Sequence, residues 1–147
     1  MQQGYTGPEV CKITGISYRQ LDHWTSTKLI SASIRNIKGS GFHRIYSFND
    51  IVIVKLVNKL RSAGISLQKI RIALKNISKI LGKNTNISDV SVFSDGTSIY
   101  VLTENDQMID LLKKGQAVFG ISLGPVHTET EAEILSLYPD KISSANK

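Results

Sequence analysis

Two helix-start signals fall within the first twenty residues, and their spacing limits the fold more than any other feature of the chain. Thr6-Gly-Pro-Glu9 has the T-x-x-E spacing of a capping box, and Pro8 sits in a first turn, where its missing N–H would have had no partner. Ser17-Tyr-Arg-Gln20 offers a second box of the form S-x-x-Q, and Gly15 between the two permits a tight turn. The spacing predicts a helix over 7–14, a turn, and a second helix to about Thr25, which together make a helix-turn-helix unit. On the second helix Leu21 and Trp24 share one face, and Tyr18, Arg19, Asp22 and His23 spread over the others. The outer face is therefore polar.

Past that unit the periodicity changes. Residues 31–46 read as two short extended segments around the loop Lys38-Gly-Ser-Gly41, a β-hairpin wing. Ser47-Phe-Asn-Asp50 repeats the capping signature, and Ile51, Val54, Val57 and Leu60 at helical spacing predict a third helix, to Ala63, with Gly64 at its stop. Ser66 opens a fourth, with Leu67, Ile70, Ala73, Leu74, Ile77, Ile80 and Leu81 on one broad face before Gly82. The polar stretch 83–88 reads as a linker. Beyond it Val90 and Val92, then Asp95-Gly96, then Ile99 and Val101 predict a hairpin closed by a type I′ turn. A helix from Glu104 or Asn105 to Gly115, a buried strand over 116–126 and a last helix from Glu129 to Leu137 complete the reading. The fold class is α+β: a winged helix-turn-helix over 1–83, four helices plus a hairpin wing, followed by a small α/β domain over 84–147.

Charge divides at the same place. Residues 1–83 carry 14 basic and 3 acidic side chains, a net +11, whereas residues 84–147 carry 4 and 9, a net −5. A basic segment joined to an acidic one suggests that the first meets a polyanion while the second does something else. Other classes lose ground on composition. The single cysteine, Cys11, leaves no disulfide framework and no thiolate cluster for a soft metal, and it reads as a small core residue. His23, His43 and His127 show no metal-ligand spacing, and no phosphate-cradling glycine loop follows a strand. An enzyme is not expected, nor a metal or cofactor. The longest apolar stretch, Ile51 to Leu56, is broken by Lys55, and the N-terminus lacks signal-peptide regions, so a soluble cytoplasmic, nucleoid-associated protein without membrane contact is expected.

The order and spacing YTGPEVCKITGISYRQLDHW, LI, GFHRIYSFNDI and LRSAGISLQKIRIAL resemble the DNA-binding domain of the MerR family of transcriptional regulators. The parts that carry the resemblance are Tyr5-Thr6, Arg19 with Leu21, His23-Trp24, Arg44-Ile-Tyr46 and Gly64-Ile-Ser-Leu67. His23 departs from the pattern, where tyrosine is commoner. The segment VSVFSDGTSIYVLT with IDLLKKGQAVFGISLG is similar to the C-terminal domain of a shorter, actinobacterial-type subgroup that lacks the long coiled coil of metal and drug sensors. The resemblance implies a homodimer on double-stranded DNA, distortion of promoter spacing, RNA polymerase as a partner, and dimerisation or signal input within 88–147. The effector is unknown.

In the major groove, the second helix would present Tyr18, Arg19 and His23, with Arg19 bidentate to guanine or clamped on phosphate. The other reading of Arg19 is a surface ion pair with Asp22. On the wing Lys38, His43 and Arg44 face phosphate or the minor groove, and Tyr46 either donates to phosphate or packs beneath the wing. Thr6 and the first N–H groups of the first helix form a further anion site. Function then reads as sequence-specific regulation of transcription from an inverted-repeat site. The alternative is an architectural DNA-binding protein with no effector, its C-terminal domain serving dimerisation alone.

Overall fold

A computed structural model describes residues 4–36, 44–82, 85–95, 98–103 and 119–141. The described elements mix helix and strand, with a helical N-terminal region and a small C-terminal sheet, as an α+β class requires. The chain forms two compact units, one of Met1–Lys55 with Thr128–Lys147 and one of Leu56–His127. These units do not follow a boundary at residue 83.

The first unit begins with β1 (Tyr5–Thr6) and α1 (Gly7–Thr14). The capping box forms in full: Glu9 N–H donates to Thr6 Oγ1 at 3.3 Å and Thr6 N–H to Glu9 Oε1 at 2.9 Å. Helix α1 stops at Gly15, whose φ of 82° is left-handed and whose N–H reaches Cys11 O at 2.8 Å. Helix α2 (Tyr18–Ser26) starts from Ser17, which accepts from Gln20 N–H at 3.0 Å, and α1 packs on α2. The wing returns as β2 (Ile45–Tyr46), antiparallel to β1 with Tyr5 opposite Tyr46, and Arg35 bridges Ile45. The tip of the wing, 37–43, lies outside the described residues.

Helix α3 (Phe48–Ser62) opens on a reciprocal box, Asp50 N–H to Ser47 Oγ at 3.0 Å and Ser47 N–H to Asp50 Oδ2 at 2.8 Å. The same Oδ2 accepts from Ser33 N–H and Oγ at 2.8 and 2.6 Å, so one carboxylate ties the approach to the wing to the start of α3. Tyr5, Val10, Ile13, Leu21, Trp24, Tyr46, Ile51 and Val54 are withdrawn from solvent in this unit, together with Thr130 and Ile134 from near the C-terminus.

In the second unit α3 ends at Gly64, with φ 88°, and α4 (Leu67–Leu81) starts from a Ser66 cap at Lys69 N–H. A 3-10 turn (Ile87–Asp89) leads to β3 (Ser91–Ser94), which pairs with β4 (Ile99–Leu102) and β5 (Phe119–Ser122), both antiparallel, in the order β4-β3-β5. Central β3 is buried at all four residues. The expected hairpin forms, but Ser94 pairs with Ile99 and Asp95 N–H reaches Ser98 O at 3.3 Å, so Asp95 stands before the turn and not at its centre; Gly96 and Thr97 lie outside the described residues.

One expectation is corrected here. Of the strand expected over 116–126, residues 119–122 form β5 and 116–118 lie outside the described residues; it does not run to 126, because α5 (Leu123–Leu137) already begins at Leu123. Pro125 is the third residue of the helix, where no intrahelical partner exists for the N–H that proline lacks. Leu123 N–H, one of the orphan donors, reaches Val90 O at 2.9 Å instead. The helix expected over 104–115 lies outside the described residues.

Candidate nucleic-acid interface

At about 100° per residue, the exposed members of α2, Tyr18, Arg19, Asp22, His23 and Ser26, span an arc of about 140°. Leu21 and Trp24, each 1% exposed, and Thr25 fill the opposite side. Binary patterning therefore fixes which way this helix turns: its apolar stripe locks it against α1, and its polar stripe is left to solvent. Ser17, Arg19, Gln20, Asp22, His23 and Ser26 line an open concavity of about 470 Å³ on that outward side. Gln20 leaves its capping box half closed, since Ser17 accepts from its N–H with no reciprocal side-chain bond.

Of the site residues expected from sequence, the structure brings Tyr18, Arg19 and His23 together on this face, with Tyr18 44% exposed. Arg19 makes no ion pair with Asp22, whose carboxylate instead takes Arg44. Lys38 and His43 lie outside the described residues.

Three expected contacts fall elsewhere. Tyr46 is 1% exposed, so of its two readings packing beneath the wing is the one realised. Thr25 Oγ1 donates to Leu21 O at 2.8 Å, which leaves the Tyr46 hydroxyl to donate to Thr25 at 2.8 Å. Burial pushes the Tyr46 phenol above its ordinary value, against the opposing pull of Thr25 and Arg44. Arg44 is also buried; its Nη1 donates to Asp22 Oδ1 at 2.6 Å and its Nη2 to Ser26 Oγ at 3.3 Å. Its guanidinium is turned to α2, not outward.

Thr6, the third, is spent on its cap. Its hydroxyl accepts from Glu9 N–H and donates to Glu9 Oε1 at 3.3 Å, and that carboxylate already fills the anion position at the start of α1. Lys141 Nζ sits 3.0 Å from the same Oε1, bonds Gly4 O at 2.5 Å and lies 4.8 Å from the Tyr5 ring centre. Although burial opposes it, the bonds from Thr6 and Lys141 hold the Glu9 carboxyl below its ordinary value. Lys141 carries no local signal of this role, because its partners are more than a hundred residues away in the chain.

Residues 5–77 match the MerR helix-turn-helix family of regulatory proteins. The chain belongs to the MerR family. Among its relatives are HTH-type transcriptional regulators of Mycobacterium tuberculosis (strain H37Rv) and Mycobacterium bovis, each 41% identical over 138 residues, which is 94% of this chain and 60% of theirs. A nodulation protein, NolA of Bradyrhizobium elkanii, is 33% identical over 73 residues, half of this chain and 32% of its own. The chain thus spans about three fifths of the mycobacterial relatives it matches. The MerR family and these mycobacterial proteins are named for regulation of transcription, not for catalysis, in agreement with the sequence expectation. No helix among the described residues is long and apolar enough to cross a membrane.

Proposed function

We propose that this MerR-type chain binds double-stranded DNA sequence-specifically, as a homodimer on an inverted-repeat promoter site, and so regulates transcription. The observation that carries the reading is the outward arc of α2, where Tyr18, Arg19 and His23 stand on a helix short enough to enter a major groove and locked from behind by Leu21 and Trp24. Arg19 reads guanine, and Lys38 and His43 on the wing contact phosphate. Residues 84–147 supply dimerisation or signal input, and RNA polymerase is the partner at the promoter. The names of the mycobacterial relatives support regulation over a purely architectural role.

Selection of bound duplexes from a random pool tests this. The expected product is an inverted repeat with half-sites about one helical turn apart. A single asymmetric half-site would remove the dimer, and enrichment of bendable sequence with no fixed bases would favour the architectural protein.

A further inference from the structure

We propose that Arg44 serves DNA binding by neutralising and fixing Asp22, so that the Asp22–Arg44 pair is a positioning device which lets an acid stand on the DNA-facing helix. The inference rests on the reading of α2 as that helix. Asp22 is the one acidic residue among the six that line the outward concavity, and its side chain is 51% exposed. Bare, it would face the phosphates with a like charge. At about 7 Å in water one such repulsion alone weakens binding about threefold, and several phosphates pass that close in a groove.

Arg44 answers this charge from beneath. Its side chain is 7% exposed, and its two terminal nitrogens hold Asp22 and Ser26, one helical turn apart on α2. Its Nε is buried with no acceptor among the described residues, so the guanidinium is held to α2 by both ends of its fork, with the Tyr46 hydroxyl beside it. Reaching a phosphate would require Arg44 to leave Asp22 bare beside that same phosphate chain. Because Arg44 immediately precedes β2, the pair also fixes the base of the wing against the C-terminal half of α2.

A double-mutant cycle in the whole chain tests this on the selected duplex and on random duplex, with affinity followed against salt. Asp22→Asn keeps an acceptor for Nη1 and removes the charge, and is expected to tighten binding to both duplexes about threefold. Arg44→Met fills the same volume, uncovers Asp22, and is expected to weaken binding to both. Adding Asp22→Asn to Arg44→Met should restore affinity and salt slope to those of the wild type. If the double variant stays as weak as Arg44→Met, with the slope shallower by about one per subunit, Arg44 is itself a phosphate ligand and the proposal is overturned.

Melting curves keep misfolding apart from lost recognition, and Arg44→Lys, which retains the charge, is expected to bind nearly as the wild type does. Failure of the wild type to bind any duplex would remove the DNA reading itself. Loss of the rescue with wild-type binding intact would remove the pair's role alone.

Discussion

Two helix stops use the same backbone device with different residues. At the end of α3, Gly64 at φ 88° sends its N–H to Arg61 O and Ile65 sends its own to Leu60 O, each at 3.0 Å. At the end of α2, Lys28 takes φ 64° while Lys28 N–H reaches Thr25 O at 3.1 Å and Leu29 N–H reaches Trp24 O at 2.9 Å. Both are Schellman stops, and a left-handed residue with a β-carbon costs roughly 1–2 kcal/mol. No atom would meet a β-carbon at Gly64, so the cost of Gly64→Val is conformational, about 2 kcal/mol of stability read by denaturant melting. Lys28→Gly should act oppositely and raise stability by about 0.5–1 kcal/mol, after the extra freedom of glycine in the unfolded chain is subtracted. The first stop is legible from glycine in the sequence; the second is not, because lysine gives no sign of it. Arg19→Ala should cost about 1–3 kcal/mol of binding and relax preference at one position in each half-site. Equal loss on cognate and random duplex would place Arg19 on phosphate.

Helices α1 to α4 fall within a residue or so of where capping signals and periodicity set them, because each start is decided by a capping side chain that accepts from the backbone N–H three residues on. The elements whose ends depend on distant partners are harder to read. Helix α5 takes its first N–H partner from Val90, and the close pass of Gly120 over Phe93, where a β-carbon would stand 2.4 Å from the ring, is set by the pairing of β5 with β3. The wing shows the same limit at the site. The spacing of Tyr46 leaves surface contact and packing both open, and strand pairing with β1 turns it inward onto Thr25.

That inward turn has a consequence at high pH. Tyr46 and Tyr5 are both pushed above the ordinary phenol value near 10, Tyr46 by burial and Tyr5 by burial and by Glu9. The unfolded chain loses these protons first, so the stability from the neutral phenols is complete below about pH 10 and fades as pH rises through the folded values. Tyrosinate absorbance and helical dichroism followed together from about pH 9 to 12 should change in step for these two residues, and Tyr46→Phe should make the stability slope shallower by one proton. Complete ionisation of all five tyrosines with the helices intact would contradict it.

Across the whole molecule, the division of charge by chain order does not survive as a division by compact unit. Counted over the same sequence, the unit of 1–55 with 128–147 holds 9 basic and 7 acidic side chains, and the unit of 56–127 holds 9 and 5. The difference arises because acids from α5 return to the basic N-terminal unit. Lys55, 7% exposed at its side chain, bonds Glu133 at 2.5 Å and Glu129 at 3.5 Å, and Lys141 holds Glu9. Sequence reasoning treats acidic and basic stretches as separate parts; here a buried lysine needs carboxylates supplied from more than seventy residues away. Burying an ammonium is costly unless it is paired, whereas a well-packed apolar group of similar volume carries no such cost. The two sides of the cluster should therefore respond unequally. Glu129→Gln with Glu133→Gln strands the Lys55 charge and should lower stability by about 2–4 kcal/mol, while Lys55→Met should be close to neutral. Adding Lys55→Met to the double glutamine variant should recover most of the loss in a denaturant melt, because the stranded charge is gone. If Lys55→Met instead cost as much as the glutamine pair, the cluster would be a net attraction strong enough to outweigh desolvation, and the C-terminal helix would be held to this unit by charge more than by Thr130 and Ile134, both fully buried.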